Sequence, residues 1–155
     1  MIQRFYIDTS VIGGVFDIEF EEHSTILMER IKFGQIKAVI SEVTVKEISK
    51  ARKEIRDYFY SLPKDSIEYV DITEDAVQLA DSYIAENVVG KSSRDDCLHI
   101  AIATVNRVDI LVSWNFKHIV NIYRIRGYNS VNIKLGYSAL EIRSPKDIVG
   151  YENKI

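Results

Sequence analysis

The chain has little of what several protein classes require. Its 155 residues contain a single cysteine, Cys97, which rules out an intramolecular disulfide and gives no zinc-ligand framework. No apolar run approaches the roughly 20 residues that span a bilayer, and no charged-then-apolar leader begins the sequence. Internal repeats, low-complexity tracts and interdomain linkers are also lacking. We therefore expect one domain, residues 1–155, in a cytoplasmic protein with no membrane partner.

Two functional classes lack their usual sequence signals. The formal net charge is −3, unlike a nonspecific nucleic-acid binder with a broad basic face. Basic residues do gather between Lys117 and Lys134, where they are consistent either with a phosphate backbone or, more commonly, with a solvated helix face. The pair Gly13-Gly14 lacks the Lys and Ser/Thr of a phosphate-binding loop, so the sequence does not support a nucleotide or dinucleotide cofactor.

What the sequence does contain is a regular alternation of strands and helices. The apolar patterns predict strands at 4–7, 37–40, 67–72, 109–112 and 139–143. They predict helices at 24–33, 41–62, 73–84, 93–105 and 121–134, and a last helix that Ser144 caps and Pro145 begins. Such alternation favours right-handed βαβ units. The fold class is therefore α/β, a single domain with a mostly parallel central sheet flanked by helices on both faces.

Acidic residues occur where this fold binds ligands. Asp8 directly follows the first strand, Glu47 lies in the helix after the second strand, and Asp96 opens a late helix. The carboxyl ends of parallel strands meet at one edge of an open sheet. Carboxylates brought together there raise one another's pKa unless a cation lies between them. Oxygen ligands without accompanying cysteines suit Mg²⁺ or Mn²⁺.

Each acid also has a purely structural explanation. Asp8 is consistent with an ordinary helix N-cap, and Ser93-x-x-Asp96 has the spacing of a capping box. Glu47, about a turn and a half into its helix, is consistent with a solvated charge, although it borders the apolar face. Two adjacent acids at 95 and 96 exceed what a cap requires. Asp96 is therefore the better metal-ligand candidate, and Asp95 is secondary.

The polar residues near these acids are less specific. Asn115 follows the fourth strand, and its amide can orient a ligand water but supplies no charge. A helical histidine one turn beyond an acid, His99, and a loop histidine, His118, more often form structural hydrogen bonds than act as general bases. Cys97 is interpreted as a small core residue.

Four of these segments together resemble the PIN domain, the nuclease fold of VapC-type toxins, over nearly the whole chain. They are Tyr6-Ile-Asp8-Thr-Ser10, the segment 41–48 that holds Glu47, Asp96-Cys-Leu-His-Ile-Ala-Ile-Ala-Thr, and Asp109-Ile-Leu-Val-Ser-Trp-Asn115-Phe. The resemblance rests on their order and spacing.

The resemblance implies a set of site residues. Asp8, Glu47 and Asp96 would be the catalytic triad that binds Mg²⁺ or Mn²⁺, and Ser10 would support Asp8. The family often carries a fourth acid where this chain has Asn115, which leaves one charge fewer for a second metal ion.

The resemblance also implies an activity and partners. It implies a metal-dependent endoribonuclease that leaves a 5′-phosphate and a 3′-hydroxyl without a protein nucleophile, as the toxin of a type II toxin–antitoxin system. The implied partners are RNA, a second copy of the chain and a small antitoxin. A PIN-like module that binds RNA or protein without cleaving is an alternative. An aspartate-nucleophile phosphatase is less supported, because Ser10 stands where such enzymes carry a second acid.

Overall fold

The centre of the protein is a five-stranded parallel sheet. A computed structural model describes residues 1–150. Its strands are β1 (Gln3–Ile7), β2 (Ile36–Ser41), β3 (Ile67–Val70), β4 (Ile110–Val112) and β5 (Ile142–Arg143). Their order in the sheet is β3-β2-β1-β4-β5, and every neighbouring pair is parallel. All five carboxyl ends therefore lie at one edge, which confirms the predicted sheet.

Helices cover both faces of the sheet. They are α1 (Thr9–Gly14), α2 (Glu21–Lys32), α3 (Glu42–Ser49), α4 (Lys53–Ser61), α5 (Glu74–Ala85), α6 (Arg94–Val105), α7 (Ile122–Lys134) and α8 (Pro145–Val149). Successive residues of β1 point to opposite faces, so Tyr6 packs with α5, α6 and α7, while Phe5 and Ile7 pack with α1, α2 and α4. No helix within residues 1–150 combines the length and apolar character of a bilayer span.

The prediction of a single helix at 41–62 is wrong, because the structure has two helices there. α3 ends at Ser49 and α4 begins at Lys53, because Arg52 adopts an extended ψ of 151° that breaks the helical hydrogen-bond ladder. The pattern of apolar residues in this segment did not predict the break. Ile48 of α3 and Phe59 of α4 are both buried in the same core. The hydrophobic pattern therefore continues from α3 into α4, although the helical backbone is interrupted between them.

The two strands at the borders of the sheet are shorter than predicted. The predicted strand 67–72 ends at Val70, and the predicted strand 139–143 is only Ile142–Arg143. β3 pairs only with β2 and β5 only with β4, so each has a ladder on one side alone. An apolar pattern does not reveal where such one-sided pairing stops.

Two predicted helix starts are confirmed by their hydrogen bonds. The side chain of Thr73 accepts a hydrogen bond from the Ala76 amide at the start of α5. At the start of α8, Ser144 and Asp147 form a reciprocal capping box around Pro145 at the first helical position.

Candidate functional site

Asp8 lies at the carboxyl end of the central strand β1, with 6% of its surface exposed. Its Oδ2 accepts hydrogen bonds from the hydroxyls of Ser10 and Ser113, each at 2.7 Å. Asp8 does precede α1, but its side chain forms no capping hydrogen bond there. The helix-cap explanation therefore does not account for this carboxylate, which two hydroxyls hold in place instead.

The same hydroxyls fix the loop after β4. Ser10 Oγ accepts a hydrogen bond from the Trp114 amide at 2.9 Å, and Ser113 Oγ accepts one from the Asn115 amide, also at 2.9 Å. Each hydroxyl therefore uses a lone pair on the backbone and directs its proton to Asp8. This closed network joins the ends of β1 and β4 into one rigid unit.

Glu47 on α3 points toward this unit, although its side chain remains 37% exposed. Its Oε1 accepts hydrogen bonds from Thr9 Oγ1 at 2.9 Å and from His99 Nε2 at 2.6 Å. Burial alone would raise the pKa of Glu47, but the hydrogen bonds and the charge of His99 outweigh burial and lower it. Glu47 is therefore not a purely solvated helix charge.

His99 of α6 lies between the two carboxylates with 1% of its surface exposed. Its Nε2 is also 3.5 Å from Asp8 Oδ1, and its Nδ1 is 2.6 Å from the Tyr6 hydroxyl, which contacts Ser41 Oγ at 2.6 Å. Burial would lower the pKa of His99. Tyr6, the hydrogen bond to Glu47 and the charges of Asp8 and Glu47 outweigh burial and raise that pKa well above 6.5.

Asp96 lies in the first turn of α6, and Ser93 before it forms no side-chain capping hydrogen bond. The capping-box explanation is therefore not realised. Burial, and next the negative charge of Asp8, raise the pKa of Asp96, and the charge of Glu47 raises it by a smaller amount. The neighbouring Asp95 is exposed to solvent.

Asn115 connects Asp96 to the loop after β4. Its Nδ2 donates a long hydrogen bond of 3.4 Å to Asp96 Oδ1. Its Oδ1 accepts from the backbone amides of Lys117 and His118 at 3.2 and 2.9 Å. The amide oxygen of Asn115 therefore binds the backbone of the turn, and its amino group is left to bind Asp96.

The ring Nδ1 of His118 is buried and has no hydrogen-bond partner within residues 1–150, so the expected structural hydrogen bond is not formed at this nitrogen.

The donor set is suited to a hard divalent cation. One atom each of Asp8, Glu47 and His99 lies within 4.8 Å of the other two. Because His99 Nε2 donates its proton to Glu47, the carboxylate oxygens of Asp8 and Glu47 are the atoms left for a metal ion. Asp96 adds a further nearby negative charge. The compact group therefore contains His99 as well as two of the three predicted acids. A partly buried cluster with more carboxylates than cations favours a bound cation.

Sequence reasoning missed four residues that hold the site together: Tyr6, Thr9, His99 and Ser113. Ser113 had a usable signal, because it follows a strand just as Asp8 does. His99 was noted but interpreted as structural. Tyr6 had no signal, because its partner His99 lies 93 positions away in the chain.

Comparison with known proteins shows the fold. No protein-family model matches the chain, and no curated protein matches it in sequence. A chain of the VapBC2 complex from Rickettsia felis, bound to a DNA fragment from its promoter, is similar with a TM-score of 0.57, 15% identity, and coverage of 92% of this chain and 98% of that one.

Two further solved structures are similar in the same way. A chain of FitAcB from Neisseria gonorrhoeae has a TM-score of 0.59 and 11% identity, with 91% and 97% of the two chains covered. A chain of a toxin–antitoxin complex from Klebsiella pneumoniae has a TM-score of 0.54 and 18% identity, with 72% and 87% covered. At these identities the similarity concerns the fold alone, and it confirms the expected VapC-like PIN fold.

Proposed function

We propose that this protein is a divalent-metal-dependent endoribonuclease that hydrolyses RNA phosphodiester bonds, with Asp8, Glu47 and Asp96 as its catalytic carboxylates. The observation that carries this proposal is the meeting of acids from β1, α3 and α6 at one edge of the sheet. Asp8 and Glu47 approach each other through His99, and Asp96 lies in their electrostatic field. His99 offsets one of these three negative charges, and the net negative charge that remains would favour a divalent cation.

In this proposal Asp8 and Asp96 hold Mg²⁺ or Mn²⁺, and Glu47 binds the same ion or orients the attacking water. When bound, the ion would lower the pKa of that water and offset charge on the phosphate. Ser10 and Ser113 keep Asp8 in one orientation. Thr9 and His99 both engage Oε1 of Glu47, so its orientation is fixed while the side chain stays accessible to water.

Three side chains near the acids, Cys97, Ser10 and Ser113, are poorly suited to act as nucleophiles, which agrees with hydrolysis by water. The thiol of Cys97 is buried, and burial raises its pKa to about 12, so thiolate chemistry at neutral pH is not available. The hydroxyls of Ser10 and Ser113 are both committed to Asp8. Water therefore remains the nucleophile of choice.

We further propose that the protein acts as the toxin of a type II toxin–antitoxin system, with a small antitoxin and a second copy of the chain as partners. The support is the shared fold with chains of the Rickettsia felis and Klebsiella pneumoniae complexes. The alternative function is a PIN-like module that binds RNA or protein without cleaving it. The neutral Asn115 near Asp96 is the observation that favours this alternative.

Incubation with total RNA and Mg²⁺ or Mn²⁺, followed by mapping of the RNA ends, tests the proposal. Wild type should produce 5′-phosphate and 3′-hydroxyl ends, whereas Asp8→Asn and Asp96→Asn should produce none. Asp75→Asn is the matched control, because Asp75 is an exposed acid in the first turn of α5. Equal cleavage by wild type and both site variants would reject the assignment.

Thermal unfolding with added Mn²⁺ separates the nuclease from the non-cleaving module. Binding to the native state alone raises its apparent stability by about 2.7 kcal/mol at a ligand concentration one hundred times Kd. Wild type should therefore melt at a higher temperature with Mn²⁺, and Asp8→Asn should not. A wild type that shows no Mn²⁺ response would favour the module.

A further inference from the structure

The segment after β4 has a charge unlike the rest of the chain. Residues 110–140 contain no Asp or Glu, in a chain whose formal net charge is −3. Their cationic residues are Lys117, Arg124, Arg126 and Lys134. This segment begins inside the candidate site, because Ser113 and Asn115 contact Asp8 and Asp96.

Two of the four cations are engaged within the fold and two are not. The guanidinium of Arg124 donates to the Val88 carbonyl, and Lys134 pairs with Glu86 at 3.1 Å. Lys117 and Arg126 are exposed, and neither forms an ion pair with another residue in the described part of the chain, 1–150. These two cations are available for an external anion.

Exposed aromatic rings alternate with these cations. Phe116 is 50% exposed and Tyr123 is 78% exposed. The Phe116 ring meets the buried Trp114 ring edge-on at 6.0 Å, and Trp114 in turn stacks on Phe20 at 4.4 Å. Phe116 is therefore the exposed member of a row of three rings, Phe20, Trp114 and Phe116, of which Trp114 is buried. The exposed face of Phe116 is free to stack on a planar group from outside the protein.

The segments that carry the rings and cations are connected to the site. Phe116 directly follows Asn115, whose amide contacts Asp96. The Asn121 side chain donates to the Phe116 carbonyl at 3.5 Å and ties the loop to the start of α7. Along α7, Tyr123 and Arg126 are three residues apart and share one helix face.

We propose that Phe116, Lys117, Tyr123 and Arg126 form a binding surface for single-stranded RNA, with bases stacked on the two rings and phosphates paired with the two cations. This inference rests on the proposed nuclease function and names the residues outside the carboxylate cluster that would hold its substrate. Aromatic stacking requires unpaired bases, because a duplex hides their faces. The surface would hold the nucleotides next to the scissile phosphate.

Binding of a short fluorescent single-stranded RNA, followed by anisotropy, tests this surface. All proteins carry Asp8→Asn so that the probe is not cleaved. Phe116→Ala should weaken binding on the order of tenfold, since one stacked base accounts for about that factor, and Phe116→Tyr should restore it. Lys117→Gln should reduce the slope of log affinity against log salt by about 0.7, the value for one single-strand phosphate contact.

The matched controls are Phe33→Ala and Lys64→Gln. Phe33 is 76% exposed and lines a cavity with Ile2 and Ile36 at the amino-terminal edge of the sheet. Pro63 and Asp65, which flank Lys64, line the same cavity. These variants should bind the RNA like the parent. A second readout is the fluorescence of Trp114, the only tryptophan, which should change when a base covers Phe116.

The inference is overturned if Phe116→Ala binds the single strand as tightly as the parent, or if a duplex of the same sequence loses affinity equally. It is also overturned if Phe116→Ala changes only the size of the protein in solution, since the surface would then be a protein interface. Cleavage by otherwise wild-type protein is measured separately. Absence of cleavage rejects the nuclease, whereas cleavage that Phe116→Ala leaves unchanged rejects only this surface.

Discussion

Replacing Tyr6 by Phe should destabilise the protein from the centre of the site. The Tyr6 hydroxyl lies 2.6 Å from both Ser41 Oγ and His99 Nδ1, and all three side chains are at most 1% exposed. Phenylalanine keeps the ring and its packing but removes the one group that satisfies both partners. The buried serine and histidine would lose this hydrogen bond, and water cannot replace it.

The expected magnitude follows from those two groups. A buried polar group without a partner costs about 1–3 kcal/mol, so two such groups cost about 2–6 kcal/mol. For a domain of this size, each kcal/mol lowers Tm by about 2–4 °C, which gives a decrease of about 4–24 °C.

Urea denaturation of wild type and Tyr6→Phe, in the absence of metal, measures this loss of free energy. The unfolding slope should be unchanged, because the ring still packs. Tyr123→Phe is the matched control, since Tyr123 is 78% exposed, and it should change the free energy of unfolding by less than about 0.5 kcal/mol. A Tyr6→Phe variant within about 0.5 kcal/mol of wild type would refute the reasoning.

Three further predictions concern charge and burial. Burial and neighbouring acids raise the pKa of Asp96, so Asp96→Asn should stabilise the metal-free protein at pH 7 by up to about 1 kcal/mol, and the gain should vanish in acid, where the carboxyl group is protonated. Burial raises the pKa of Cys97 to about 12, so iodoacetamide should modify it only after denaturation. Arg4 lowers the pKa of Glu68 below 4.5. The ion pair should therefore contribute less than about 1 kcal/mol to the free energy of unfolding above pH 4.5, and this contribution should be lost as the pH falls through the lowered pKa. Glu68→Gln should remove this pH dependence.

Each of these three has a contradictory outcome. Urea midpoints at pH 7 that are lower for Asp96→Asn than for wild type would mean that the ionised carboxylate stabilises the fold. Rapid alkylation of native protein, read by mass spectrometry, would place the Cys97 thiol at the surface. Identical acid-unfolding curves for wild type and Glu68→Gln would mean that solvent screens the ion pair with Arg4 completely.

The parallel sheet was predictable because each strand is a short apolar run followed by a helical pattern. Asp8 and Asp96 were predictable as candidates because both stand at element ends. The break between α3 and α4 was not predictable, because the buried faces of the two helices give one continuous apolar stripe. The break is caused by the extended backbone conformation of Arg52, which a pattern of apolar residues does not predict.

The residues that hold the acids in place were harder to predict than the acids themselves. The contacts of His99 with Asp8, Glu47 and Tyr6 join residues 52 to 93 positions apart. Hydrogen-bond partners at that separation are set by the tertiary packing of α6 against the sheet. Sequence spacing therefore identified His99 as helical and near an acid, but not as the group between two carboxylates.

Anomalous diffraction from crystals of the protein soaked in Mn²⁺ tests the central claim most directly. Our account predicts one strong peak at the carboxyl ends of β1 and β4, within about 2.5 Å of carboxylate oxygens of Asp8 and Asp96 and close to Glu47. The peak should be lost in Asp8→Asn crystals. A peak elsewhere in the molecule, or none at millimolar Mn²⁺, would contradict the assignment of these acids to a shared metal ion.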